Sequence, residues 1–159
     1  SKSRKFQGYE WQEIPGHGRT HSAISPYPVS DFSFTDLKNA PYVEYPITFF
    51  STGTVELQTV LAPSLPFVPG RGLRYAVAIG DEQPQIIDFL SDYKDGDAAW
   101  ERSVEDGVRI GRSSHRINQP GPSTLKLFMV DSGVTVQRLQ IDNGGLQPSY
   151  LGPPQSPRK

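Results

Sequence analysis

The sequence predicts an all-β domain, an antiparallel β-sandwich or jelly roll, from three observations. Apolar side chains recur at every second residue in several short runs, which is the period of a half-buried strand. These runs are spaced about 8 to 12 residues apart and separated by turn residues, the pattern of a sandwich rather than of alternating strands and helices. Glycine and proline together number 30 (15 Gly and 15 Pro) of 159 residues. Their usual combined share is roughly 12%, so turns are many and helices few.

Residues 1–5 are small and charged and read as a flexible linker; 6–154 read as one sandwich domain, and 155–159 as a flexible end. Phe6 to Ile14 is the first strand, followed by the loop Pro15-Gly16-His17-Gly18-Arg19. Thr20 to Val29 is an irregular strand ended by Pro26 and Pro28, and Asp36 to Asn39 is expected to form a single helical turn. Val43, Tyr45, Ile47 and Phe49 alternate cleanly, with Pro46 on the opposite phase marking an edge or a bulge. Ser51-Thr52-Gly53 then turns the chain into Val55, Leu57 and Leu61, predicting a hairpin.

Leu73, Tyr75, Val77 and Ile79 form the next strand, returned by Gly80-Asp81 into Gln85 to Leu90. Ser91 to Gly107 holds the only helical pattern, with Trp100 and Val104 four residues apart. Val108 to Ile117 is a polar strand. Leu125, Leu127 and Met129 alternate up to Asp131-Ser132-Gly133, and Val134 and Val136 restart beyond it, predicting a last hairpin. The phase slips at Gln137-Arg138 before Leu139 and Ile141, the signature of a β-bulge. The tail carries Leu146, Tyr150 and Leu151 among Pro148, Pro153 and Pro154. Those prolines forbid regular pairing, so the tail is expected to lie flat over the core.

Composition narrows the function. Lys and Arg total 16 against 17 Asp and Glu, a net charge of −1, which lacks the basic surplus of a nucleic-acid binder. There is no cysteine and hence no disulfide or thiol chemistry. No apolar run is long enough to span a membrane, and no leader peptide is visible. A length of 159 residues can bury a core without metal or disulfides.

Catalytic motifs are absent: there is no Gly-x-Ser-x-Gly, His-Glu-x-x-His or phosphate-binding glycine loop. His17 and His21 lie in a Gly- and Pro-rich loop, unsuited to holding a metal from a helix. Asp92, Asp95 and Asp97 crowd three carboxylates beside Gly96. That set would suit a structural calcium, although a polar turn explains it more economically. Glu10, Glu13, Glu44, Glu56 and Asp88 sit on or beside strands, and nothing pairs two of them across a cleft as glycoside hydrolysis requires. Trp11 and Trp100 adjoin loops with polar company, His17 and Arg19 for the first and Tyr93 for the second. A sugar ring packs its C–H face on an aromatic plane while its hydroxyls or carboxylate take fixed polar partners, so Trp11, His17, Arg19, Tyr93 and Trp100 form the candidate carbohydrate-binding set. The competing reading makes both tryptophans core or interface plugs. Tyr45, Tyr75, Phe49 and Phe128 are assigned to the core.

Several motifs carry a resemblance. The opening WQEIPGHGRT, the strand APYVEYPITFF, LAPSLP, LRYAVAIGDEQPQIID, the Trp100 to Val104 step, and above all the tail GGLQPSYLGPP resemble the C-terminal domain of glycoside hydrolase family 115, the xylan α-1,2-glucuronidases. Pro122-Ser123 and Ser132 depart from that pattern, at turns. The resemblance implies a non-catalytic, galactose-binding-like β-sandwich, since the family's catalytic carboxylates belong to a separate barrel domain. It implies a polysaccharide partner of the xylan or glucuronoxylan type, the catalytic domain of a parent enzyme as the other partner, and a secreted or periplasmic setting. A structural or dimerisation module without sugar affinity is the alternative. Neither nucleic acid nor membrane is expected as a partner.

Overall fold

The computed structural model describes residues 2–19, 21–91, 98–147, 149 and 151–156, with the backbone alone for 98–100. Among the described residues, ten strands and one helix follow in order: β1 (Lys2–Arg4), β2 (Glu10–Pro15), β3 (Ser22–Tyr27), β4 (Tyr42–Phe49), β5 (Gly53–Leu61), β6 (Arg74–Ile79), β7 (Gln85–Asp88), α1 (Ala98–Glu105), β8 (Arg109–Ile117), β9 (Gly121–Met129) and β10 (Val136–Asp142). They build two five-stranded antiparallel sheets. Sheet one has the order β1-β4-β9-β6-β7, and sheet two has the order β2-β3-β10-β5-β8.

The pairing of β3 to β10 is nested. Third pairs with tenth, fourth with ninth, fifth with eighth, and sixth with seventh. A chain folded double and then rolled, so that its ends pair outermost and its middle innermost, is a jelly roll. The inward residues of both sheets, among them Leu57, Leu61, Tyr75, Val77, Leu127 and Met129, make one continuous core. Tyr75 and Phe128 are buried in it, while Tyr45 and Phe49 pack half-buried against its edge.

Two expected hairpins do not form. β4 and β5 lie in different sheets, and so do β9 and β10. The turn residues at Ser51-Thr52-Gly53 and Asp131-Ser132-Gly133 do reverse the chain, but as arches between sheets. Reversal is a local property. Whether two apolar faces end side by side or face to face depends on partners far away in sequence, and strand alternation fits either arrangement. Among sequential strands, β2–β3 and β6–β7 are true hairpins.

Residues 2–4, expected as linker, form β1 against Tyr42, Val43 and Glu44. This edge strand is held by backbone pairing and by the Arg4 guanidinium 5.3 Å over the Tyr42 ring, so it needs no apolar pattern.

The arch between β9 and β10 is fastened by a buried ion cluster. Asp131 is fully buried, and its Oδ2 accepts the Arg74 backbone N–H and Nε–H, both at 2.9 Å. Its Oδ1 accepts Arg74 Nη2–H at 3.2 Å and lies 3.5 Å from Arg71 Nε. Beside it the Ser132 hydroxyl accepts the Ser30 N–H at 2.8 Å and donates to the Ser30 carbonyl. The single Asp131 carboxylate thus faces two guanidinium groups at this corner.

The β-bulge expected at Gln137-Arg138 is present: β10 shifts register against β5 between Val136 and Arg138. Pro148 and Tyr150 of the tail lie outside the described residues; the rest of the tail to residue 156 is described. It turns across the outer face of sheet two, with Leu146 half-buried there and Leu151 60% exposed.

Candidate functional site

The tail and sheet two together enclose a groove of about 210 Å³. Its floor is a two-by-three array set by strand register. Arg138, Val60 and Ile110 lie abreast on β10, β5 and β8, and Gln140, Gln58 and Arg112 lie abreast in the row two residues along. Side chains two apart on a strand share a face, and adjacent strands lie about 4.8 Å apart, so the floor spans roughly 10 Å across three strands. The walls are Arg19, Gln137 and Val108 on one side and Leu146, Gln147, Ser149 and Gly152 on the other.

The bulge builds the first wall. By turning Gln137 out of register, it lets one amide tie two loops together. Gln137 Oε1 accepts the Arg19 N–H at 3.1 Å, and Gln137 Nε2 donates to the Gly107 carbonyl at 3.1 Å. The Arg19 side chain in turn donates to the Asp106 carbonyl. Gly18 adopts φ +85°, and a Cβ there would lie 2.7 Å from Gln137 Oε1, so this tether needs glycine. The second wall is built by Asp142. Its Oδ1 accepts the N–H groups of Gly144, Gly145 and Leu146 at 2.8, 3.0 and 3.1 Å, which folds the chain back over β10. The Gly144 and Leu146 donors hold the Asp142 carboxyl below its ordinary value, helped by Gly145 and the charge of Arg112 and opposed by desolvation. A Cβ on Gly152 would lie 1.9 Å from Arg138 Nη1 and 2.5 Å from Gln140 Oε1, so the tail backbone rests directly on the floor.

Charge in the groove is uneven. Glu56, one register step beyond the floor, pairs with Arg112 and accepts from Gln58 Nε2 at 2.8 Å. Arg138 reaches Gln140 Oε1 at 3.4 Å, and among the described residues no carboxylate lies within ion-pair distance of it. The groove therefore offers a partly sheltered guanidinium, a row of amides, and aliphatic surface from Val60, Leu146 and Ile110, the last 43% exposed. Such a surface can accept a carboxylate or sugar hydroxyls through forked donors while aliphatic side chains cover the ring face.

Of the expected sugar-site residues that are described, Arg19 alone lines this groove. Trp11 is a correction: it is 7% exposed, faces inward opposite Pro26, and belongs to the core cluster. A tryptophan beside a polar loop reads as a platform in sequence, but β2 turns that one side chain inward and leaves its neighbours outside. His17 is exposed on the β2–β3 turn and does not line the groove. Tyr93, Asp92, Asp95 and Asp97 lie outside the described residues, as does the side chain of Trp100, whose backbone is in α1. The described groove lining contains no aromatic ring. Gln58, Arg112, Arg138 and Gln140 were missed because each is an ordinary outward residue on its own strand, and only the pairing register assembles them.

A second polar set was also missed. The buried His115 of β8 contacts Glu82 through Nδ1, and its Nε2 lies 2.7 Å from Ser113 Oγ. Gln85 Nε2 donates to the Ser114 carbonyl at 2.9 Å. Glu82 and Gln85 belong to sheet one's last hairpin, so this set clasps the two sheets along one edge. It faces the interior of the sandwich rather than the groove. Among the described residues no group of three metal-ligating side chains gathers, and no helix is long and apolar enough to cross a membrane.

Comparison with known proteins agrees with this architecture. The model of the glycosyl hydrolase family 115 C-terminal domain matches residues 1–155. Among solved structures, the chain is similar to one described as a family GH115 4-O-methyl-α-glucuronidase with specificity for decorated arabinogalactans, at 18% identity and a TM-score of 0.65. The similarity covers 87% of this chain and 18% of that one, so the chain spans under a fifth of its structural relative. No curated protein matches the chain. With the family model covering nearly its whole length, the chain belongs to the glycosyl hydrolase family 115 C-terminal domains.

Proposed function

We propose that this domain is a non-catalytic carbohydrate-binding module that holds xylan or glucuronoxylan in the groove on sheet two. The carrying observation is the two-row floor of Arg138, Val60 and Ile110 beside Gln140, Gln58 and Arg112. Amides and guanidinium groups suit hydroxyls and a uronic carboxylate, and the aliphatic residues suit the ring's C–H face. Among the described residues the groove lining contains no Asp or Glu, the acids that glycoside hydrolysis uses in pairs. Hydrolysis belongs to the catalytic domain of a parent enzyme, in a secreted or periplasmic setting.

Isothermal titration of the domain with glucuronoxylan, unbranched xylan and decorated arabinogalactan tests this reading. Saturable heat with a xylan, lost in a folded Arg138→Ala variant, is the expected result. Heat confined to arabinogalactan would move the ligand away from xylan, and no heat with any polymer would defeat the sugar-binding reading.

One observation favours the alternative, a module that packs on its parent domain or on a second copy. Tyr27, Val29 and Phe32 are exposed close together in sequence, at 54%, 66% and 46%. Light scattering of the isolated domain distinguishes the cases: a dimer dissociated by Phe32→Ser, with no sugar affinity, supports this alternative.

A further inference from the structure

The tail supplies half of the groove wall, yet a single carboxylate on the sheet dictates where that tail goes. From this geometry we infer that Asp142 is a positioning residue for the groove: its carboxylate folds the segment after β10 back over Arg138 and Gln140, and ligand affinity depends on that fold-back. The inference rests on the groove being the sugar site.

Three observations converge on it. One oxygen, Asp142 Oδ1, accepts three successive N–H groups, from Gly144, Gly145 and Leu146, which are the donors that must turn together for the chain to reverse. Gly144 adopts φ +102° within this turn, a conformation glycine takes without strain. Beyond it, Leu146 and Gln147 line the groove, and Gly152 reaches the floor so closely that any side chain would displace Arg138 or Gln140. Asp142 itself does not line the groove, so it acts through the tail. A ligand lying between Gln147 and Arg138 contacts the tail wall and the floor together, so binding and tail docking stabilise one another by linkage.

The orientation of the tail also bears on Arg138. With Gly152 seated, the guanidinium is confined between the tail backbone and Gln140, and its rotamer freedom is reduced before a ligand arrives. Releasing the tail returns that freedom and opens one side of the groove to solvent, which weakens a charge-assisted contact.

The test compares Asp142→Ala, which removes the acceptor, with Asp142→Asn, which keeps a carbonyl oxygen in its place, and with Gly152→Val, which lifts the tail without touching the turn. Each variant is titrated with glucuronoxylan, and amide exchange is followed at residues 144–147. The expected result is a loss of at least about tenfold in affinity for Asp142→Ala and Gly152→Val, with Asp142→Asn close to the parent. Exchange at residues 144–146 accelerates in Asp142→Ala alone. Unchanged affinity in an Asp142→Ala variant whose residues 144–146 exchange freely would overturn the inference while leaving the sugar site intact. If the parent domain binds no polymer, the sugar-site reading fails, and exchange alone decides the positioning role. Acceleration in Asp142→Ala but not in Asp142→Asn sustains that role, and equal protection in all variants overturns it.

Discussion

Two aspartates bracket β10 and do opposite work. Asp131 precedes the strand and is fully buried; Asp142 ends it and faces solvent at the mouth of the groove. Both reverse the chain by accepting several N–H donors. Asp131 gathers those donors from Arg74 and lies beside Arg71, both across the fold, so its loss would leave two partly buried guanidinium groups and the Arg74 N–H without their shared acceptor. Asp142 takes its donors from the next few residues of its own chain, in water, so its loss would free a local turn. The same chemistry braces the fold in one place and shapes a site in the other, and burial together with sequence separation decides which.

The largest effect should come from Asp131→Ala. Breaking a buried pair by removing one partner costs about 3–5 kcal/mol, read by urea denaturation. A loss under about 1 kcal/mol would show that the corner tolerates an unmatched arginine and would erase the contrast. Trp11→Ala should fall in a similar range, about 3–5 kcal/mol, because it empties a core position rather than a platform. A Trp11→Ala variant that remains as stable as the parent would return the indole to the surface.

Arg138→Ala sharpens the comparison from the other side. It should weaken glucuronoxylan binding by about tenfold or more while leaving stability within about 0.5 kcal/mol. The smallest effect is expected from acid. The Asp142 carboxyl lies below its ordinary value of 3.8 in the folded domain. A lowered folded value means that the charge-dependent part of the turn's stabilisation is fully present above 3.8 and is lost only as pH falls through the folded value. Arg112 from β8 favours the charged form, while Glu56 stands opposite on β5. Amide exchange at 144–146 should therefore show no opening of the turn between pH 5 and 8. Opening within that window would assign the turn to another group.

Much of the fold was legible because strand period and turn chemistry are local. The runs around Val43, Leu73 and Leu125 became β4, β6 and β9, and the phase slip at Gln137 became the bulge that tethers Arg19. What was not legible was the choice of partner. Ser51-Thr52-Gly53 announces a reversal equally well for a hairpin and for an arch, and the nested pairing of β3 with β10 is decided by contacts over a hundred residues apart. The groove was hidden for the same reason. Gln58, Ile110 and Arg138 are unremarkable one strand at a time and become a floor only in register. Trp11 misled because the polarity of its neighbours says where the strand is wet, while a single inward side chain obeys the pleat.

The measurement that bears most directly on the account is a backbone-amide NMR titration of the isolated domain with a glucuronic-acid-bearing xylooligosaccharide. A sugar site in the groove gives saturable shifts concentrated at residues 58–60, 110–112 and 138–140, with a smaller set at 144–147 and none on the outer face of sheet one. Saturable shifts elsewhere on the domain, or no shifts at all, would contradict the groove as the sugar site.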